Sequence, residues 1–171
     1  NSKGAKVAGA GLEGENVEGV NLSEADLSGA DLSGADLSGT SLSGASLSMA
    51  NLPWAYLSQA NLTNANLDGA NLSRANLEGT LLMGASLRGA VLFEARLHKA
   101  EFAGADLSGA NLEACVGDSA GFAGALLCDA VFAGARLTGC SLTSANLTDA
   151  VLTGAKFNDC RFHQALLTRT N

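Results

Sequence analysis

From Val7 to Leu167, every fifth residue of this chain is apolar, with Gly117 as the one exception among 33 positions. We call these positions centre residues, and they hold 25 Leu, five Phe and two Val. The residue two before each centre, here called the alanine position, is Ala in 26 of the 33 units. The chain is therefore predicted to be a tandem array of five-residue units.

A period of five suits neither a helix nor a flat strand. On a helix, five residues advance the direction of the side chain by about 140°, so the centre residues would spread around all sides. On a flat strand, an odd period sends every second centre residue to the opposite face. All the centre residues point inward only if the backbone turns once per unit, so that each unit forms one side of a coil. We therefore predict an all-β solenoid whose coils stack through backbone hydrogen bonds.

Units such as ADLSG and ANLTN resemble the pentapeptide-repeat family, whose consensus is A(N/D)LxX, over essentially the whole chain. The resemblance implies a right-handed quadrilateral parallel β-helix with four units per coil, about eight coils in all, in which residues 20 apart are vertical neighbours. We treat residues 1–171 as one domain, with an irregular first coil at 1–20 and a degenerate repeat at 115–119 around Gly117. That repeat is either a tolerated defect or a bulge.

The two ends of such a stack expose unpaired backbone groups. Two interpretations stay open: either the uncapped coils meet another subunit, as in end-to-end self-association, or the chain is excised from a longer protein whose flanking segments cover them.

Composition argues against several classes of function. Ten Lys and Arg stand against 17 Asp and Glu, a net charge of -7, which disfavours direct binding to nucleic acid. No run reaches the roughly 18 apolar residues of a membrane span. Convex walls around a dry core offer no cleft, and His98 and His163 both fall on outward positions. We expect no enzyme activity, no cofactor and no metal site.

The four cysteines lack the spacing of a metal site. Cys140 and Cys160 occupy alanine positions 20 residues apart, so they are either stacked thiols in a reduced core or the two halves of a disulfide. Cys128 follows a centre residue and is predicted to face solvent, which favours a reducing compartment such as the cytoplasm.

Three departures from the monotonous polar surface are candidates for function. The first surrounds Pro53 to Tyr56, which holds the only Trp and the only Tyr. Arg74 lies one coil beyond Trp54 and is predicted to stack on its indole. Exposed aromatic residues beside arginine are typical of interface hot spots. The candidate interaction surface comprises Trp54, Tyr56, Arg74, Phe93 and Arg96.

The second departure is an acidic N-terminal segment. Some pentapeptide-repeat proteins resemble DNA in shape and charge and bind type II topoisomerases such as gyrase. That resemblance makes DNA mimicry the alternative function, with an acidic surface of Glu13, Glu18, Glu24, Asp26, Asp31 and Asp36.

The third departure lies in the later coils. One wall bears cations and its neighbour bears valines, a combination that suits a protein partner. The cations are Arg96, His98, Lys99, Arg136 and Lys156, and the valines are Val91, Val131 and Val151. Taken together, the sequence predicts a rigid, non-catalytic module or scaffold that binds a protein partner.

Overall fold

A computed structural model, which describes residues 3–171, shows a parallel β-helix. Every backbone bridge joins a residue to the one 20 positions later, so four units separate each pair of partners. The bridges form four ladders along the stack. Ladder 1 passes through Asp26, ladder 2 through Asp31, ladder 3 through Asp36 and ladder 4 through Ser41. The handedness of the coil remains a prediction.

Extended segments longer than a single bridged residue occur only on ladder 3 within residues 3–171. They are β1 (Val116–Asp118), β2 (Arg136–Thr138) and β3 (Lys156–Asn158), which pair in parallel in the order β1-β2-β3. The described part of the first coil keeps the same register, since Lys6 pairs with Asp26. Residues 1 and 2 of the predicted irregular coil lie outside the described residues.

A tight turn, closed by a hydrogen bond from the N–H three residues later to the carbonyl of the centre residue, follows most centre residues but not Gly117, Leu137 or Phe157. The carbonyl of Leu52 accepts a hydrogen bond from the N–H of Ala55 at 3.2 Å. The residue two after the centre, here called the corner residue, has a positive φ throughout, in eighteen glycines and sixteen other residues. An i to i+3 hydrogen bond with positive φ at the third residue defines a type II turn. This turn lets an odd repeat keep all its centre residues on the inside.

Each internal unit donates three backbone hydrogen bonds to its neighbouring coils and accepts three. In the unit centred on Leu57, the N–H of Leu57 donates to Asn76 O at 2.8 Å and that of Gln59 to Glu78 O at 2.9 Å. The N–H of Tyr56 donates in the opposite direction, to Ala35 O at 2.9 Å. The coils are thus joined as in any parallel sheet.

The core is a column of centre and alanine positions that is buried from Leu22 to Ala150. Phe102 and Phe122 stack with ring centroids 4.9 Å apart, and Phe132 meets Phe122 edge-on at 6.3 Å from another ladder. Thr80 replaces an alanine and is fully buried, and its hydroxyl donates to Leu57 O at 2.7 Å. The centre residues of the first and last described coils are only partly buried, apart from Leu167, which is exposed. No helix in the described chain is long and apolar enough to cross a membrane.

Pairing continues through Gly117 without an inserted residue. Gly117 pairs with Leu137 inside the β1-β2 register, and the neighbouring Val116 stays at its bridging position. A Cβ at Gly117 would lie 3.2 Å from a methyl of Leu137 and 3.2 Å from Cβ of Leu97. The leucines above and below therefore occupy the space that a centre side chain would fill. Ser119 is exposed, as most corner residues are, whereas Asp118 is exposed at a position that is half-buried in most units.

All four cysteines are free thiols. Burial raises the pKa of Cys115 to about 12 and that of Cys140 to about 12. Cys160 lies one coil beyond Cys140 and is half-buried, as is Cys128. The disulfide alternative is therefore not adopted in this structure, and Cys128 is less exposed than its position after a centre residue predicted.

The backbone of the turn can be tested at Gly34 (φ +66), where an added Cβ would meet no atom within 4 Å. Because only the left-handed conformation penalises the new side chain, Gly34→Ala should lower the free energy of unfolding by about 1 kcal/mol. Ala114 (φ 55) already carries that penalty, so Ala114→Gly should raise it by a similar amount. Urea denaturation measures the free energy of unfolding of both variants. A change of the same sign in the two variants, or no change in either, would contradict the turn geometry.

Thiol labelling tests the placement of the cysteines. In the native protein at mildly alkaline pH, iodoacetamide should modify Cys128 and Cys160, which are half-buried. Cys115 and Cys140 should react only after unfolding, because the buried thiols resist forming the reactive thiolate. Peptide mass spectrometry reads each site separately. Modification of Cys115 as fast as Cys128 would contradict its burial.

Candidate interaction surfaces

The corner at Trp54 combines an unusual backbone with an unusual side chain. Pro53 occupies the second position of the turn, where its fixed φ suits a type II turn. Trp54 follows as the corner residue with φ 61, and its side chain is 58% exposed. A non-glycine residue in this conformation costs about 1 kcal/mol, and glycine is the commonest residue at corners of this chain. Trp54 is therefore one of sixteen non-glycine corners that carry this cost, and its side chain is the largest among them.

Arg74, the next corner residue, joins the neighbouring aromatic side chains. Its guanidinium carbon lies 4.8 Å from the centroid of the Trp54 ring and 6.0 Å from that of Phe93. Its Nε donates to the Glu94 carboxylate at 2.6 Å. We call Trp54, Arg74 and Glu94 the corner column. The stacking of Arg74 on Trp54 agrees with the expectation from the 20-residue spacing.

Tyr56 and Arg96 lie apart from this contact. Both belong to ladder 3, where Asn76 separates them, and both are exposed. The structure therefore brings together Trp54, Arg74 and Phe93 and leaves the other two candidates on the adjoining face. Met49, which sequence reasoning did not single out, is 72% exposed at a corner of the same coil, but it lies between ladders 1 and 2, away from ladder 3. A large apolar residue at a position that glycine normally holds is the signal that would have found it.

The acidic residues at bridging positions are fixed to their own turns. The Asp31 carboxylate accepts from the N–H of Ser33 at 3.1 Å and from its hydroxyl at 2.5 Å. Asp36 accepts from the N–H of Ser38 at 3.0 Å. The hydroxyl and the N–H of the serine hold the pKa of each carboxyl below its usual range. Asp26, Asp31 and Asp36 lie on ladders 1, 2 and 3, so they form a ring and not a row.

These carboxylates predict an acid-sensitive fold. A depressed folded-state pKa contributes stability above the unfolded pKa of about 4, and that stability is lost as pH falls through the folded value. Unfolding midpoints in urea should therefore be lower near pH 3 than near pH 7. Asn71 makes the same contact with Ser73 in another coil of ladder 2, so Asp31→Asn with Asp36→Asn should keep the neutral-pH midpoint and flatten the acid loss. An unchanged pH profile would contradict this role.

Ladder 3 carries exposed cations in its later coils. Arg96, Arg136 and Lys156 stand at bridging positions of this ladder and are exposed. His98 Nδ1 lies 3.1 Å from a carboxylate oxygen of Asp118, on the same face. Val91, Val131 and Val151 follow ladder 2 and are half-buried. The predicted pair of cationic and apolar walls is thus present on adjoining ladders.

The two histidines are not brought together. His98 lies beside ladder 3 and His163 beside ladder 4, more than three coils further along the chain. Residues 3–171 form no pocket and no cluster of His, Cys, Asp and Glu suited to a metal ion. The candidate surfaces are therefore walls and corners of the solenoid.

Comparison with known proteins identifies the family to which these repeats belong. The pentapeptide repeats profile matches eight copies, over residues 21–59, 50–89, 95–132 and 145–171. No curated protein matches the sequence significantly.

Solved structures give the same assignment. One match is HetL, a pentapeptide repeat protein involved in heterocyst differentiation regulation in the cyanobacterium Nostoc sp. strain PCC 7120. HetL is 30% identical to this chain, the alignment covers 100% of this chain and 88% of HetL, and the TM-score is 0.50. A trypsin-treated variant of QnrB1, a plasmid-mediated fluoroquinolone resistance protein, is 20% identical over 97% of this chain and 85% of its own, with a TM-score of 0.71. Full-length QnrB1 is 21% identical over 94% and 90%, with a TM-score of 0.64. The repeats, the ladders and these matches together show that the chain belongs to the pentapeptide-repeat family.

Proposed function

We propose that this protein is a rigid, non-catalytic module that binds a protein partner through the surface of Trp54, Tyr56, Arg74, Phe93 and Arg96. The observation that carries the proposal is Trp54 itself, a large apolar side chain that is 58% exposed on a backbone conformation suited to glycine. Sixteen non-glycine corners share this backbone conformation, so the size and the exposure of the indole are what single out Trp54. Neither its burial nor its effect on the turn accounts for a tryptophan there.

The contacts around Trp54 support a binding role. Arg74 lies over the indole and is fixed by Glu94, so two long side chains are ordered before any partner arrives. Preorganisation lowers the entropy that binding has to overcome. Tyr56, 54% exposed on the adjoining ladder, adds a second aromatic side chain of the kind enriched in hot spots. The backbone beneath them is rigid because each unit is bonded to both neighbouring coils.

A DNA-mimicking regulator of a type II topoisomerase is the second candidate. It is favoured by the charge distribution, since residues 1–85 hold nine acids and three bases. The likeness to QnrB1 supports a shared fold. A mimic of DNA would need two rows of negative charge, but Asp26, Asp31 and Asp36 form a ring, and each is hydrogen-bonded to its own turn. The corner column resembles a protein hot spot more closely, so we rank the interaction module first.

Affinity capture from a lysate of the source organism distinguishes these roles. Wild type is compared with Trp54→Gly, which removes the indole and relieves the turn, so that loss of a partner cannot be attributed to unfolding. We expect a partner that binds wild type and is depleted at least about tenfold with Trp54→Gly, the loss typical of a hot spot.

Met49→Gly is the matched control, because Met49 is also a large exposed corner residue of the same coil, with φ 57. It should retain the partner. Capture of a topoisomerase by wild type and Trp54→Gly alike, with loss on combined Asn substitution of Asp26, Asp31 and Asp36, would establish the mimic instead. Equal recovery with all variants would contradict both proposals.

A further inference from the structure

The later coils carry a second feature, a row of cations on one ladder of an otherwise acidic protein. Arg96 pairs with Val116, Val116 with Arg136, and Arg136 with Lys156, so these four side chains stand in register on ladder 3. We call Arg96, Arg136 and Lys156 the cation row. All three are exposed, whereas Val116 is half-buried.

The cation row lacks ionic partners of its own. Among the described residues, salt bridges join Arg74, Arg88 and Arg169 to acids one coil away, but none involves the three residues of the row. The nearby Asp118 donates its N–H to His98 Nδ1 at 3.2 Å and holds its carboxylate 3.1 Å from the same nitrogen, and Asp159 occupies a corner of the coil that bears Lys156. The row therefore presents free positive charge in a chain whose net charge is -7.

The shape of the adjoining corner leaves the row open to a large partner. On the corner between ladders 2 and 3, the bulky corner column of Trp54, Arg74 and Glu94 is followed by Ala114, Gly134 and Gly154. A partner lying on the row can extend over this low corner toward Val131 and Val151 without meeting a large side chain.

We propose that the cation row binds an extended acidic segment of a protein partner that lies along the axis of the solenoid. Coils are spaced by about 4.8 Å, so the row spans about 14 Å from Arg96 to Lys156. Three acidic side chains at alternate positions of an extended strand point to one face and span about 13 Å. The charge, the overall length and the straightness of the row thus match an alternating acidic sequence. Because Val116 interrupts the row, Arg136 stands about 10 Å from Arg96 and about 5 Å from Lys156, so the central acid has to be reached by the long side chain of Arg136. The apolar Val131 and Val151 on the adjoining ladder favour a protein segment over nucleic acid as the occupant.

This inference rests on the proposed interaction role but not on the Trp54 contact. It is tested by fluorescence anisotropy with a labelled peptide containing Glu-Thr-Glu-Thr-Glu, compared with the same residues ordered Glu-Glu-Glu-Thr-Thr. We expect the alternating peptide to bind more tightly and its affinity to fall as salt is raised. Combined substitution of Arg96, Arg136 and Lys156 by Gln should weaken binding about tenfold, since each exposed ion pair contributes a factor of about two to five.

The matched control is Gln substitution of Lys6, Arg88 and Arg169, which removes the same charge from ladder 1 and from the turns that follow it. It should leave the affinity for the peptide within about twofold of wild type. Equal weakening by both triple variants, or no preference for the alternating peptide, would overturn the proposal. Either result would show that the peptide is held by non-specific electrostatic attraction and not at the cation row.

Other occupants give different results. Tighter binding of a single-stranded oligonucleotide that depends on the cation row would assign the row to nucleic acid, and a dimer in sedimentation that only the row variant abolishes would assign it to a second copy. Either overturns the acidic-segment proposal. Trp54→Gly should bind the peptide as wild type does, so failure of the peptide test and failure of the Trp54 capture test remain distinct outcomes.

Discussion

The left-handed backbone at every corner residue is the constraint on which the rest of the structure depends. Without a positive φ at each fifth position, the type II turn could not form and alternate leucines would face solvent. With it, the carbonyls and N–H groups of every side point along the stack, where the next coil pairs with them. The core, the ladders and the straight columns of surface side chains all follow from this one repeated conformation.

The sequence was sufficient to predict the interior and the register. A centre residue that recurs every five positions, with alanine two before it, leaves only a coil whose sides all face one axis, and the stacking of Arg74 on Trp54 agrees with that register. The pattern could not reveal how Gly117 is accommodated, because the answer depends on the side chains of Leu97 and Leu137 in other coils. It also could not say whether Cys140 and Cys160 are bridged, since stacked positions suit thiols and a disulfide equally; here they are free thiols.

The surface was harder to predict for a physical reason. Bridging Asn and Asp residues both cap the turn, as Asn71 and Asp31 do with the serine that follows two residues later, so an acidic residue there has a structural role before any functional one. Charge alone therefore says little at these positions. More is learned where a residue departs from what the turn needs, and the exposed Trp54 and Met49 corners are the clearest cases.

The corner residues affect the stability of the fold and the chemistry of its surface in opposite ways. Replacing every non-glycine corner by glycine is the obvious route to a more stable solenoid, because each change relieves a left-handed side chain. The same redesign would erase Trp54, Arg74 and Glu94, together with Lys99 beside the cation row. A stabilised consensus version of this protein would thus lack distinctive side chains at its corners. The difference between its free energy of unfolding and that of the natural chain would measure the stability cost of carrying those side chains.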